Sequence, residues 1–224
     1  MSYTKEQIAR VLDLAVLKPT VATGEVIASA RLVQEEDIAS ICVAPCNVRL
    51  AKQYTDRVCA VIGFPHGNTT AEVKAFEARQ AIANGAIELD VVCNYGRFLD
   101  GMCGSHDCPD PLWLGLGGVL NVAHDQGVLV KAILETCFLD DSQIRELCEM
   151  CVDEGVDFVK TSTGFGRGGA TVRALKAMRQ TIEELGSRVQ IKASGGIDTY
   201  AKVARCLDLG CTRIGSSHYQ ELLP

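Results

Sequence analysis

Apolar residues fall into two alternating periods along this chain. Short β-rich runs occur at 38–44, 58–63, 87–93, 128–134, 157–161, 189–193 and 212–215, with a weaker one at 12–17. Between them lie segments whose apolar positions recur at helical spacing: 24–36, 71–84, 142–154, 171–185 and 199–209. Thr23 and Thr70 stand where helix N-caps are expected. Gly85, Gly155, Gly186 and Gly210 stand where helices end. Strands alternating with helices of this length predict βαβ units and a parallel sheet. Eight such units match the size of a (β/α)8 barrel. An open doubly wound sheet is the alternative, but the first strand run leads into Lys18-Pro19-Thr20 and not into a glycine-rich fingerprint. No linker divides the chain, so one domain spanning 1–224 is expected. The region 99–122 breaks the pattern with glycine and proline; a short helix from 111 or 112 to 126 is expected there after an irregular loop.

Composition narrows the function classes. The chain has 224 residues, 47% hydrophobic and 22% charged, with a formal net charge of −6. No basic stripe with interleaved aromatics points to nucleic acid. Apolar runs are too short for a membrane span, and the N-terminal residues lack a signal core, so a cytoplasmic protein is expected. Eleven cysteines are an odd number, and cytosolic thiols stay reduced. Cys148 and Cys151 form a CxxC, yet with Ile144, Leu147 and Val152 they mark one face of a helix. They therefore read as core and not as metal ligands. Cys103, His106 and Cys108 lack a fourth ligand and read as loop.

The charges inside the strand runs carry the chemical signal. Asp13, Asp90, Lys131, Lys160 and Lys192 all lie in such runs, and barrel chemistry sits at the C-terminal strand ends. A strand-end charge reaching solvent is the bland reading for any one of them. Two carboxylates among three cations make a set that can be buried together. Lys160 and Lys192 each precede a glycine turn. A second ammonium and a desolvated pocket favour a neutral amine, which attacks a carbonyl and forms an iminium. The iminium is an electron sink for making or breaking a C–C bond, with a carboxylate such as Asp90 passing protons. No metal and no cofactor are needed. Gly164, Gly195, Gly196 and Gly215 follow or close the last strands, where barrel phosphate sites form. Turns needing positive φ explain the same glycines without a ligand.

Five stretches, at 61–67, 84–92, 131–136, 158–165 and 191–197, resemble the deoxyribose-phosphate aldolase family in the same order. Lys160-Thr161-Ser162-Thr163-Gly164-Phe165 and Lys192-Ala193-Ser194-Gly195-Gly196 are the most specific of them. The resemblance implies a metal-independent class I aldolase on a (β/α)8 barrel. Its reaction is cleavage of 2-deoxy-D-ribose 5-phosphate to acetaldehyde and D-glyceraldehyde 3-phosphate, and the reverse addition. It implies Lys160 as the Schiff-base lysine, Lys192 as its perturbing partner and Asp90 as the proton relay. Lys131 and Asp13 resemble polar partners of that network. Gly164, Gly195, Gly196, Gly215 and Ser217 resemble the phosphate-loop positions, and Cys42 and Thr163 join the substrate-binding set. Partners are a phosphorylated sugar and short aldehydes, and a homodimer is expected.

Three positions depart from the family pattern. Ala15 replaces a polar threonine, Asp198 replaces an arginine, and His218 replaces a serine or glycine. Asp198 exchanges a phosphate-attracting cation for an anion and predicts a preference for less charged aldehydes. A sugar-phosphate-binding barrel without turnover, or another phosphate-binding barrel enzyme, is the alternative reading.

Overall fold

The structure is a computed structural model that describes residues 2–101 and 114–224. Eight parallel strands close into a barrel in sequence order: β1 (Leu12–Val16), β2 (Ser40–Val43), β3 (Val58–Ile62), β4 (Glu88–Val92), β5 (Leu129–Ile133), β6 (Phe158–Lys160), β7 (Gln190–Ser194) and β8 (Arg213–Ser216). The expected (β/α)8 barrel is found. β1 pairs with β8 through Asp13↔Gly215, which closes the circle. Helices α1 (Lys5–Ala9), α2 (Thr23–Glu35), α3 (Val48–Ala51), α4 (Ala71–Ala83), α5 (Tyr95–Leu99), α6 (Gly117–His124), α7 (Asp141–Glu154), α8 (Val172–Glu184) and α9 (Tyr200–Asp208) accompany the strands.

Local chemistry sets the helix ends. Thr70 accepts from the Val73 amide, as its sequence position predicts. Asp140 and Gln143 cap α7 reciprocally, and Gly155 ends it at φ +88°. Thr171 and Thr199 lie outside α8 and α9 as caps and not within them. Thr23 differs from expectation: α2 begins at Thr23 itself, after extended Ala22, with no side-chain cap bond. The short α1, α3 and α5 were not legible, because one turn shows too little periodicity to register. Of the helix expected at 111–126, α6 occupies 117–124; residues 102–113, with Cys103, His106 and Cys108, lie outside the described part.

Strand alternation sends one set of side chains outward and one into the barrel. Outward Val91, Val130, Ala132, Val159 and Ile191 pack under the helices in one apolar cluster with Ile144, Leu147, Cys148 and Cys151. The CxxC is thus core. Cys151 Sγ lies 3.8 Å from Cys93 Sγ, and burial together with nearby Glu149 pushes the Cys148 thiol up to about 12. Among the described residues every cysteine is a free thiol, and no helix is long and apolar enough to cross a membrane.

Candidate active site

The inward set is charged. Asp90 on β4 pairs in register with Lys131 on β5, and Lys160 on β6 pairs with Lys192 on β7. All four are at most 3% exposed. Two ammonium groups side by side on neighbouring strands need an anion between them, and Asp90 reaches across the barrel to supply it. Its Oδ2 accepts from Lys160 Nζ at 2.6 Å and from Lys192 Nζ at 2.7 Å. Its Oδ1 accepts from Lys131 Nζ at 3.0 Å. Lys192 also bonds Asp13 Oδ2, and Asp13 Oδ1 accepts from Ser40 Oγ at 2.7 Å. One connected network therefore holds all five ionisable residues singled out in the strand runs.

The network is larger than the sequence pattern suggested. Glu88 Oε2 lies 2.5 Å from Lys131 Nζ. Arg213 on β8 forks onto Glu88 at 2.9 and 3.0 Å and reaches Asp13 Oδ1 at 2.6 Å. Glu88 had a signal: it stands two residues before Asp90, so both must face the same side of a strand. Arg213 lay inside a strand run as well. Ser40 and Cys59 had none, because only the register Asp13↔Ser40 and the 3.2 Å approach of Cys59 Sγ to Asp90 reveal them.

Depth separates the residues. Lys160 is the last residue of β6, whereas β7 continues to Ser194 and leaves Lys192 in mid-strand. A cavity of about 320 Å³ opens above them, lined by Asp13, Lys160 and Lys192. Asp90 and Lys131 do not line it and lie beneath its floor. Cys42, Thr163, Gly164, Gly195, Gly196, Gly215 and Ser217 all line it, together with Lys18, Phe165, Asp198 and His218.

The glycines at this rim serve two different needs. Gly195 and Gly196 hold φ of +87° and +71°, which L side chains rarely adopt. A Cβ on Gly169 would lie 2.1 Å from the Gly195 carbonyl oxygen, so the loops after β6 and β7 meet backbone to backbone. Gly215 is not a turn glycine. It sits within β8, and a Cβ there would press on Ser194 at 2.9 Å and on the Lys192 stem at 3.2 Å. Asp198, the anion at the rim, bonds Lys202 Nζ at 2.8 Å, and Lys202 also holds the Gly196 carbonyl at 2.9 Å.

Electrostatics fix the charge states. Burial alone would raise the Asp13 and Asp90 carboxyls, but the surrounding lysines outweigh it and hold both below the ordinary carboxylate range. Burial would lower Lys131 and Lys192, but the carboxylates outweigh it and hold both amines above the ordinary lysine range. Lys192 is therefore a standing cation. Depressed carboxyls stabilise the fold above the unfolded carboxylate value, and raised lysines stabilise it below the unfolded lysine value. The urea midpoint is expected to be level from about pH 5 to 9. It should fall once pH drops below about 4, and again above about 10.5. A midpoint already falling steeply between pH 8 and 9 would contradict these charge assignments.

Cys42, Cys59 and Asp90 are the group of metal-type ligands that comes together among the described residues, within 4.8 Å. Three ammonium groups already occupy the Asp90 oxygens there, so a further cation meets repulsion.

Buried lysine amines at the C-terminal ends of barrel strands, joined by a carboxylate and open to a carbonyl-sized cavity, are the apparatus of class I aldolases. No protein-family model matches the chain. It is 43% identical to deoxyribose-phosphate aldolase 1 of Bacillus licheniformis over 218 residues, 95% of this chain and 92% of that one. It is 40% identical to deoxyribose-phosphate aldolase of Thermococcus gammatolerans over 216 residues, 94% and 92% of the two chains. The solved tetrameric deoxyribose phosphate aldolase of Aeropyrum pernix superposes with a TM-score of 0.83 at 28% identity, over 98% of this chain and 90% of that one. The chain belongs to the deoxyribose-phosphate aldolase family and is an aldehyde lyase.

Proposed function

We propose that this barrel, one domain across 1–224, reversibly cleaves 2-deoxy-D-ribose 5-phosphate to acetaldehyde and D-glyceraldehyde 3-phosphate through an iminium on Lys160. The observation that carries the assignment is Asp90 Oδ2, shared by Lys160 Nζ and Lys192 Nζ beneath the cavity floor. Lys160 and Lys192 both line the cavity, but Lys192 bonds Asp13 as well as Asp90 while Lys160 bonds Asp90, so Lys160 is the amine more readily released to an aldehyde. Its nitrogen bonds the aldehyde carbon of the open-chain sugar, and water leaves. The iminium then accepts the electron pair of the C2–C3 bond as the C3 hydroxyl loses its proton. Glyceraldehyde 3-phosphate departs, the enamine is protonated at C2, and hydrolysis returns acetaldehyde and the amine. Lys192 gives a proton to the departing water, and the proton leaving Lys160 replaces it through the Asp90 oxygen that both amines share. Lys131 keeps Asp90 ionised from below.

The phosphate end of the substrate is assigned to Gly164, Gly195, Gly196, Gly215 and Ser217, with Cys42 and Thr163 along the chain of the sugar. Asp198 opposes this end, and its pairing with Lys202 blunts the opposition. Asp198→Asn is expected to lower KM for deoxyribose 5-phosphate by about threefold, the scale of a screened charge–charge term. KM for unphosphorylated deoxyribose should not move. Equal change for both sugars would remove the phosphate from this end. A further test of the site is chemical. Incubation with acetaldehyde and reduction with borohydride should add one ethyl group, mapped by mass to Lys160; an unmodified protein, or an adduct on Lys192 alone, overturns the assignment.

A further inference from the structure

Among the described residues, Glu135 is the one at this end of the barrel that combines a buried carboxylate with left-handed backbone, at φ +53° and ψ +57°. It follows β5 and is 1% exposed. Glycine adopts this backbone without strain, so a glutamate kept there must be held by what its side chain does. That side chain crosses to the loop after β6. Glu135 Oε2 accepts from the Thr163 amide at 3.2 Å and from the Thr163 hydroxyl. Its other oxygen faces Gly166, where a Cβ would come within 3.0 Å. Thr136 and Arg167 join the same two loops through Thr161 and Cys137 carbonyls.

The consequence lies in the Thr163 hydroxyl, which has one proton and two lone pairs. The proton goes to Glu135, and one lone pair accepts from the Phe165 amide at 3.0 Å. One lone pair remains, on a residue that lines the cavity three positions beyond Lys160. We propose that Glu135 is a positioning residue that acts through Thr163, fixing its hydroxyl as an acceptor that recognises a hydroxyl on the carbon chain of the acceptor aldehyde. The proposal rests on the aldolase reading above and adds to it a selector for hydroxylated over deoxygenated acceptors.

The test compares lactaldehyde with propanal, which differ by one hydroxyl, as acceptors for acetaldehyde. The unsubstituted protein should favour lactaldehyde in kcat/KM by about tenfold, the scale of one hydrogen bond. Thr163→Val and Glu135→Ala should each bring the ratio near one, with the change in KM. Glu135→Gln keeps a carbonyl oxygen for both Thr163 donors and should hold the ratio within about twofold of the original. Thr163→Val retains the branched shape and decides the matter if Glu135→Ala does not fold. A ratio near one in the unsubstituted protein, or one that Thr163→Val leaves intact, overturns the proposal. A ratio lost in Thr163→Val but kept in Glu135→Ala overturns the part given to Glu135. Borohydride trapping of acetaldehyde, which has no hydroxyl to be selected, separates the two readings. No adduct on the unsubstituted protein sinks the aldolase assignment, whereas an adduct with an unmoved ratio sinks only the selector.

Discussion

Lys160→Leu is expected to lower turnover of deoxyribose 5-phosphate by on the order of 10⁴-fold or more and to abolish the borohydride adduct, while leaving the fold as stable as before. The loss follows from its place. Both lysines line the cavity, but Lys160 stands at a strand end and bonds Asp90, whereas Lys192, in mid-strand, is committed to Asp13 as well as Asp90. Lys192 is also held above the ordinary lysine range and makes a poor substitute nucleophile. The stability half is less obvious, because removing one member of a buried ion pair usually costs about 3–5 kcal/mol. Here the barrel interior sets Lys131, Lys160, Lys192 and Arg213 against Asp13, Glu88 and Asp90. Losing Lys160 leaves the two signs equal, and Asp90 keeps Lys131 and Lys192 as donors. Leucine also fills much of the vacated volume. The thermal midpoint should therefore stay within about 3 °C, the shift that 1 kcal/mol makes in a domain of this size. Measured activity within tenfold of the unsubstituted protein would remove Lys160 from the nucleophile's role.

Asp90→Asn is expected to fail in both respects. Its carboxylate is the meeting point of three lysines at 2.6, 2.7 and 3.0 Å, all of them at most 3% exposed. Neutralising it leaves four cations facing two anions, the imbalance opposite to that relieved by Lys160→Leu. The cost is that of uncompensated buried charge, about 3–5 kcal/mol. Against a total stability of about 5–15 kcal/mol, that corresponds to a fall in midpoint on the order of 10 °C. Turnover should drop by about 10²–10⁴-fold, because the oxygen that joins the two amines becomes an amide that cannot carry a proton between them. Calorimetry and initial rates on one preparation check both parts. An Asp90→Asn protein as stable as the original, with more than a tenth of its activity, would mean that the carboxylate is neither the anchor nor the relay.

The contrast between these variants shows why the site was only half legible. Asp13, Asp90, Lys131, Lys160 and Lys192 stood out because charges inside apolar runs violate the local pattern. The same rule reached Glu88, two residues from Asp90, yet a partner across the barrel was needed to give it meaning. Glu135 was not recognisable as more than a motif residue, since its left-handed backbone and its bond to Thr163 arise from two loops meeting. Asp198 read as an anion in place of a phosphate-attracting cation, and the fold pairs it with Lys202 four residues on. Gly215 read as the close of the last strand run and a phosphate-loop position; the structure keeps it within β8, where it makes room for Lys192.

Periodicity is a local property, so the chain by itself determined the alternation of strands and helices, most helix ends, the buried character of Cys148 and Cys151, and which charges had to be explained. Each of those follows from spacing along one segment. Closure of the barrel through Asp13 and Gly215, the pairing of Lys160 with Lys192 and the sharing of one Asp90 oxygen depend on strand register between residues 32 to 202 positions apart. No local pattern encodes such distances. Only the packed tertiary structure decided them, because a buried charge takes its meaning from the counter-charge that the fold brings to it.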